Sequence, residues 1–365
     1  MASKQPINIK ELEKIVTMFD LGGPTVTIAP HKSGHINDTY ISHNIVKGDR
    51  IRFIHQRINH EVFKDVPKLM DNVVRITKHL AEKIDPSEGE KALQLVPAKD
   101  GQFFLQDDDG NFWRTYVYIS GTKSVDVCQG VSQAEEAARV FGKFLGHLKD
   151  LPGEPLFETI PFFQHTPKRF EALSASVNED KAKRASTAAN EIDFALTQQP
   201  IGLTLVNALE SGIVPTRAIH NDLKLNNILF DNVSKKGTCV VDLDTCMPGT
   251  LLFDFGDLIR NTSIPVAEDE VNLDKVEIDL NLYKAIVDGI KTGAGDFMSQ
   301  SEWELLPIAP RVLALTLGVR FLTDYLNGDT YFKISYPEHN LVRARTQFKI
   351  VRSMEKNESA MKAAI

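Results

Sequence analysis

Apolar and polar positions alternate in the first part of the chain and recur with helical spacing in the second. Residues 25–58 contain the segments TVTIAP, TYISHNIV and IRFIHQRI, whose alternation predicts three β-strands. Residues 65–83 have the apolar spacing of one helix face, and KALQLVPA, GQFFLQ and NFWRTYVYI are further strand candidates. Together with a short helix at 9–19, this pattern predicts a small sheet with one helix inserted after its third strand.

Beyond residue 120 the pattern predicts mainly helices. The first of them contains Ser132 and Glu135 at the spacing of a capping box. Further helices are expected near 169–197, 200–211, 280–292 and 310–327. The strand segments RAIH, NNILF and TCVVDLD interrupt these helices.

These patterns predict an α+β, bilobal architecture. Residues 1–119 would form a small, β-rich N-terminal lobe, and residues 120–365 a larger, mainly helical C-terminal lobe. The connector between the lobes is expected at about 116–121, where strand texture gives way to helix.

Composition narrows the classes of function. The chain has 365 residues, 42% of them hydrophobic, and a net charge of −7, which disfavours a nucleic-acid partner. Its 3 cysteines show no metal-binding spacing and suit a reducing compartment. Neither a signal-peptide pattern nor a run of membrane-spanning length is evident, so we expect a cytoplasmic protein without a membrane partner.

Polar residues crowd the segment IHNDLKLNNILF, between two short apolar stretches. One interpretation is a surface turn, because asparagine and aspartate favour turns. The other is a catalytic loop, in which His220 precedes Asp222 by two residues, Lys224 follows by two and Asn227 by five. A second acidic pair, Asp242 and Asp244, ends the apolar strand TCVVDLD.

Phosphoryl transfer from ATP needs groups of these kinds. Asp222 suits the carboxylate that orients the acceptor hydroxyl and takes its proton, and Lys224 suits the cation that neutralises the moving phosphoryl group. Asn227 and Asp242 suit Mg²⁺, which prefers oxygen ligands, with Asp244 as a second-metal ligand or a supporting residue.

The motifs resemble those of a known superfamily. HNDLKLNN resembles the catalytic loop of kinase-like enzymes, and VVDLD resembles the metal-binding strand of the aminoglycoside phosphotransferase and choline kinase superfamily. GHINDTY is similar to the hairpin that these proteins place over the nucleotide phosphates. The resemblance spans nearly the whole chain and is closest to the N-acetylhexosamine 1-kinases, through HNDLKLNNIL, DLDTCMPGTLLFDFGDLIR and YPEHNLVRARTQ.

This resemblance implies a protein-kinase-like fold that binds ATP and Mg²⁺ between its lobes. It implies nucleotide contacts from residues of the hairpin, the third strand and the connector: Gly34, His35, Asn37, Gln56, Tyr116 and Tyr118. One departure is that Gln56 and Arg57 stand where kinases carry a phosphate-binding lysine, which implies altered phosphate contacts. Asp254 and Asp257, in the sequence FDFGD, are interpreted as carboxylates that support the catalytic loop.

The acceptor is expected to bind against the C-terminal lobe. Arg320 and Asp324 share a helix face and, with His35 and Asp222, would bind the hydroxyls or acetamide of a sugar, although a surface ion pair is an equal alternative. The resemblance implies phosphorylation of N-acetylglucosamine or N-acetylgalactosamine at the C1 hydroxyl. No compact aromatic set for a choline ammonium is apparent near these residues.

Two other functions remain open from the sequence. The first is a kinase of another small alcohol, such as choline, homoserine or an aminoglycoside. The second is a nucleotide-binding module without catalysis, which the absence of the phosphate-binding lysine on the third strand suggests.

Overall fold

The computed structural model describes residues 7–31 and 36–365. Its strands are β1 (Thr25–Pro30), β2 (Asp38–Val46), β3 (Asp49–Ile58), β4 (Leu95–Val96), β5 (Leu105–Gln106), β6 (Phe112–Val117), β7 (Thr122–Lys123), β8 (Arg217–Ile219), β9 (Ile228–Asp231), β10 (Gly237–Val240) and β11 (Met247–Gly249). Its α-helices are α1 (Ile9–Thr17), α2 (Val66–Lys83), α3 (Val131–Leu148), α4 (Thr166–Glu179), α5 (Ala189–Thr197), α6 (Gln199–Gly202), α7 (Thr204–Glu210), α8 (Leu251–Thr262), α9 (Leu280–Ala294), α10 (Gln300–Leu305), α11 (Ala309–Leu326), α12 (His339–Lys356) and α13 (Glu358–Ala363).

An antiparallel sheet of order β1-β2-β3-β6-β4 forms the first part of the molecule, and β5 also pairs with β6. Alternation along the strands gives the sheet two apolar faces. Tyr40, Phe53 and Trp113 belong to a cluster with α1, whereas Ile58 and Tyr116 belong to the main core with α2. This small β-rich part, followed by a mainly helical part, confirms the predicted bilobal kinase-like fold class.

Helix α2 starts where the sequence predicted. The side chain of Asp65 caps it by accepting a hydrogen bond from the Lys68 N–H, and Pro67 lies in the first turn, where it sacrifices no internal hydrogen bond. Leu69, Val73 and other apolar residues of its inner face are fully buried. The helix therefore forms as local pattern and capping predict.

One predicted detail of the helical part, the capping box at Ser132, was wrong. Helix α3 begins at Val131 after Gly130 and has no side-chain cap, because Ser132 already lies inside the first turn. By contrast, the helical segments expected near 169–197 are present as α4 and α5, and α4 ends where Asp180 takes a left-handed conformation at φ 39°.

Helix α11 runs through the interior of the helical part and is buried on nearly all sides. It packs against α4, α8 and α12. Although α11 is long, no helix in residues 7–31 or 36–365 is both long and apolar enough to cross a membrane. The short strand pairs β8–β11 and β9–β10 lie in this helical part and carry the segments that the sequence singled out.

Candidate active site

The loop after β8 is held at its backbone by a buried carboxylate. Asp254, in the first turn of α8, accepts hydrogen bonds from the N–H groups of His220 at 2.7 Å and Asn221 at 2.6 Å. The Thr245 hydroxyl donates to the carbonyl of His220 from the other side, at 2.7 Å. Asn221 is left-handed, at φ 66°, and turns the chain into Asp222. This confirms the interpretation of Asp254 as a loop-supporting carboxylate.

His220 has a fixed tautomer. Its Nε2 lies 3.0 Å from the carbonyl of Val241, which can only accept, and its Nδ1 accepts from the N–H of Asp222 at 3.3 Å. Burial lowers the pKa of His220, so the neutral ring is favoured. Phe141 and Phe144 contact the ring edge to face. His220 therefore joins the loop to the strand that leads to Asp242.

Asp222 lies at the centre of a small polar cluster. Its Oδ2 accepts from Lys224 Nζ at 2.8 Å and from Asn227 Nδ2 at 3.1 Å. Asn227 also donates to the Asp222 carbonyl at 2.8 Å. In the described residues Oδ1 receives no hydrogen bond, and the side chain is 25% exposed. The structure thus brings the three predicted residues together and leaves one carboxylate oxygen available to a ligand.

Asp242 lies close enough to Asp222 and Lys224 for their charges to act on it. It follows β10 in a left-handed conformation, at φ 63°, and its side chain is open to solvent although protein atoms crowd it. That crowding, with the charges of Asp244 and Asp222, raises the pKa of Asp242 to about 7. Such a concentration of negative charge is relieved when a cation binds.

Asp244 is engaged by protein partners. Its Oδ1 lies 2.5 Å from Nη1 of Arg114, and both side chains are almost completely buried. Its Oδ2 accepts from Nδ2 of Asn37 at 2.7 Å, just before β2. The sequence left open a second-metal ligand or a supporting residue, and the contacts of both oxygens fit the second, because they join the segment that carries Asp242 to the sheet.

Gln56 also binds Arg114. Its Oε1 accepts from Nε and Nη2 of Arg114 at 3.0 Å and 2.8 Å. Its amide nitrogen makes only a long bond of 3.4 Å, to the Thr39 hydroxyl. The neighbouring Arg57 instead pairs with Asp38.

Two backbone N–H groups of the connector are already bound within the protein. The N–H groups of Val117 and Tyr118 donate to the carbonyls of Gln94 and Arg52, each at 2.9 Å. Tyr116 is buried beneath Arg114, whereas the Tyr118 ring lies under the guanidinium of Arg52. Gly34 and His35, also predicted as ligand contacts, lie outside the described residues.

A cavity of about 620 Å³ also borders the connector. Its walls come from α2, the segment 84–95, Phe103 and the connector residues Val117–Ser120. Asp222, Asn227 and Asp242 do not line it, so we do not assign it to the phosphoryl-transfer site.

Arg320 lies among aromatic rings. Its guanidinium carbon is 5.4 Å from the ring centre of Phe332 and 5.9 Å from those of Phe163 and Tyr331. The sequence indicated no compact aromatic set near these residues, and the fold forms one by bringing Phe163, from a segment far away in sequence, close to Tyr331 and Phe332. Gln164, the next residue, reaches the carbonyl of Asn221 at 3.4 Å, which connects this cluster to the catalytic loop.

Asp324 has a different role from the predicted one. Its carboxylate accepts from the backbone N–H groups of Thr330, Tyr331 and Phe332 at 2.8–2.9 Å, and from Asn340 at 2.9 Å. The side chain is buried, and neither the predicted sugar contact nor a surface ion pair with Arg320 fits these bonds. Asp324 instead folds the loop after α11 that presents Tyr331 and Phe332.

Two arginines near the site, Arg114 and Arg169, were not predicted from the sequence. Arg114 is a lone charge within the apolar strand segment NFWRTYVYI, and such a position signals a buried partner. Arg169, on α4, donates to the carbonyls of Phe162 and Phe163, and burial and the charge of Arg320 lower its pKa to about 10. No sequence signal connected Arg169 with Arg320, because only the fold brings the two helices together.

Comparison with known proteins agrees with this fold. The model of the phosphotransferase enzyme family matches residues 27–279, from within β1 to the end of the segment that follows α8. An aminoglycoside phosphotransferase from Alicyclobacillus acidocaldarius has a similar structure, with a TM-score of 0.59, 12% identity and 98% of each chain covered. A choline kinase from Cryptosporidium parvum gives 0.57, 13% identity and 96% of each chain.

A third similar structure is a spectinomycin phosphotransferase in complex with ADP and spectinomycin, with a TM-score of 0.55 and 12% identity. The match covers 96% of this chain and 100% of that one. At these identities the solved structures establish a common fold.

Proposed function

Because the chain belongs to the phosphotransferase enzyme family, we propose that it transfers the γ-phosphoryl group of ATP to the C1 hydroxyl of an N-acetylhexosamine. The products are the sugar 1-phosphate and ADP. The main support for an uncharged acceptor is the position of Arg320. Its guanidinium lies among the aromatic rings near the catalytic loop, where the ammonium of a cationic acceptor would otherwise bind.

Asp222 is the residue that orients the acceptor in this proposal. Lys224 and Asn227 both donate to Oδ2, which leaves Oδ1 for the hydroxyl of the sugar. The transition state of phosphoryl transfer is largely dissociative, so alignment contributes more than basicity. Asp222 takes the proton late, when bond formation to phosphorus has acidified the hydroxyl. Lys224, held beside Asp222, offers positive charge to the transferred group.

Asn227 and Asp242 are the residues that would hold Mg²⁺. The Asn227 amide nitrogen is bound to Asp222, which leaves its carbonyl oxygen for a cation. Desolvation by the surrounding protein atoms, together with the negative charges of Asp244 and Asp222, raises the pKa of Asp242 to about 7, and a bound cation would offset that repulsion, which supports this choice. Two protein ligands suit Mg²⁺, which commonly takes its other ligands from water and nucleotide phosphates. When bound, the ion supplies charge neutralisation for the phosphates.

A cationic acceptor is disfavoured by the same cluster. Choline and aminoglycosides carry positive charge, and an ammonium is recognised by the faces of aromatic rings. In this chain the rings of Phe163, Tyr331 and Phe332 already surround Arg320, and Arg169 adds a second positive charge nearby. In the described residues neither arginine has an acidic partner. A neutral sugar with a carbonyl and hydroxyls can accept hydrogen bonds there without repulsion.

The choice of N-acetylhexosamine comes from the sequence resemblance. ADP release should be measured with N-acetylglucosamine, N-acetylgalactosamine, choline, homoserine and an aminoglycoside, and phosphorus NMR should identify the product. We expect both sugars to be phosphorylated at C1, within about tenfold of each other, since one reoriented hydroxyl at a tolerant site changes transition-state binding by about 1.4 kcal/mol. A 6-phosphate product, or turnover with choline and neither sugar, would contradict the proposal.

Arg320→Ala should raise the KM for the sugar by about 10- to 100-fold and leave the KM for ATP unchanged. The reason is the loss of charged hydrogen bonds, each worth about 1.5–3 kcal/mol. Arg352→Ala is a matched control, because Arg352 also lies over an aromatic ring, that of Phe194 at 4.6 Å, on the exposed side of α12. Equal KM values for wild type and Arg320→Ala would remove Arg320 from the acceptor site.

A further inference from the structure

A row of polar side chains crosses three strands of the sheet. Thr39 on β2 is paired with Gln56 on β3, and Gln56 is paired with Arg114 on β6. Residues paired across antiparallel strands point to the same face. Gln56 and Arg114 therefore share the face that carries Ile58 and Tyr116, which is turned toward α2 and the catalytic segment.

Arg114 determines the orientation of the Gln56 amide. A guanidinium can only donate hydrogen bonds, so the two bonds of 2.8 Å and 3.0 Å require the amide oxygen of Gln56 to face it. The N–H₂ group must then point the other way, toward Thr39. Its bond to the Thr39 hydroxyl, at 3.4 Å, is long, and one amide hydrogen has no partner among the described residues.

The ion pair between Arg114 and Asp244 keeps the arginine in place. Both side chains are almost completely buried, so Arg114 cannot itself reach a bound nucleotide. Asp244 lies two residues after Asp242, and its other oxygen binds Asn37, just before β2. The arginine therefore connects the position where kinases carry their strand lysine with the segment that carries Asp242.

We propose that Arg114 is a positioning residue that holds the amide N–H₂ of Gln56 toward the nucleotide phosphates, where a kinase would present a lysine ammonium. The inference rests on the nucleotide site proposed above. Gln56 contributes neutral hydrogen-bond donors, and the charge of Arg114 is compensated by Asp244. A lysine at position 56 has no acceptor for Arg114 and places two cations side by side.

The test is a double-mutant cycle read out as the Kd for Mg·ADP by calorimetry, together with Tm. Gln56→Glu keeps an oxygen for Arg114 and loses the donors, so we expect the Kd to rise about tenfold or more with Tm little changed. Arg114→Lys keeps the pair with Asp244 but releases the amide, so the Kd should rise several-fold. In the double variant the Kd should be no higher than for Gln56→Glu alone, because no donor remains to be positioned.

Gln56→Lys tests the simpler explanation that the site only lacks the lysine that kinases carry at this position. We expect weaker Mg·ADP binding and a lower Tm, whereas Gln106→Lys, at an exposed glutamine of β5, should change neither. Additive effects in the cycle, or binding by Gln56→Lys as tight as that of wild type, would overturn the role of Arg114. Failure of the wild-type protein to bind Mg·ADP would instead overturn the proposed function.

Discussion

Asp222→Asn is expected to lower kcat by about 10³-fold while the Kd for Mg·ADP stays within about twofold of wild type. Loss of a positioned general base commonly costs 10²- to 10⁴-fold. The amide oxygen can still accept from Lys224 and Asn227 at the place of Oδ2, which preserves the cluster. The amide N–H₂ then occupies the place of Oδ1 and cannot take a proton from the acceptor.

The measurement is steady-state turnover with each sugar, with Mg·ADP binding followed by calorimetry. Asp126→Asn is a suitable control, because Asp126 is exposed and accepts a hydrogen bond at 3.3 Å from Asn226 of the same loop. Turnover by Asp222→Asn at the wild-type rate would mean that another group orients the acceptor.

Asp242→Ala and Asp244→Ala, two residues apart, are expected to have opposite effects. Asp242→Ala should abolish Mg²⁺-dependent binding of ATP without lowering Tm. A carboxyl group whose pKa is raised to about 7 binds more protons in the folded protein than in the unfolded chain, so its ionisation lowers stability as the pH rises from about 4 to 7. Removal of this group at neutral pH thus relieves repulsion.

Asp244→Ala leaves Arg114 buried without its partner. Breaking a buried ion pair costs about 3–5 kcal/mol of folding free energy, so Tm should fall clearly. Titration of Mg·ATP into both variants, with thermal unfolding in parallel, distinguishes the two roles. The assignment would be reversed if Asp242→Ala unfolded early and Asp244→Ala lost only its dependence on Mg²⁺.

Local patterns predicted the sheet and α2 well because the residues that define them are close in sequence. Helix α12 was missed because much of its buried face is polar, including Asn340, Thr346, Gln347 and Ser353, so it lacks apolar periodicity. Helix α8 is buried on almost every side, which also removes the signal of a single apolar face.

The candidate site was predictable where spacing alone determines it. Asp222, Lys224 and Asn227 lie within one loop, and the structure brings them into contact. The supporting role of Asp244 was one of two that the sequence left open, and the role of Asp324 was not predicted, because the sequence does not show which donors surround a carboxylate. The donors to Asp244 come from β6 and from Asn37, just before β2. Those to Asp324 come mainly from an irregular loop whose path the residue spacing does not reveal.

The carboxylate of Asp324 has a consequence for the entropy of ligand binding. The segment after α11 has no regular secondary structure, yet three of its consecutive N–H groups are bound to this one buried side chain. Fixing the backbone of a free loop costs about 1–2 kcal/mol per residue. Here that cost is met when the protein folds, so a ligand that contacts Tyr331 and Phe332 encounters a preorganised wall and retains more of its contact energy as affinity. In hydrogen exchange, these loop amides should behave like those of the adjoining helix.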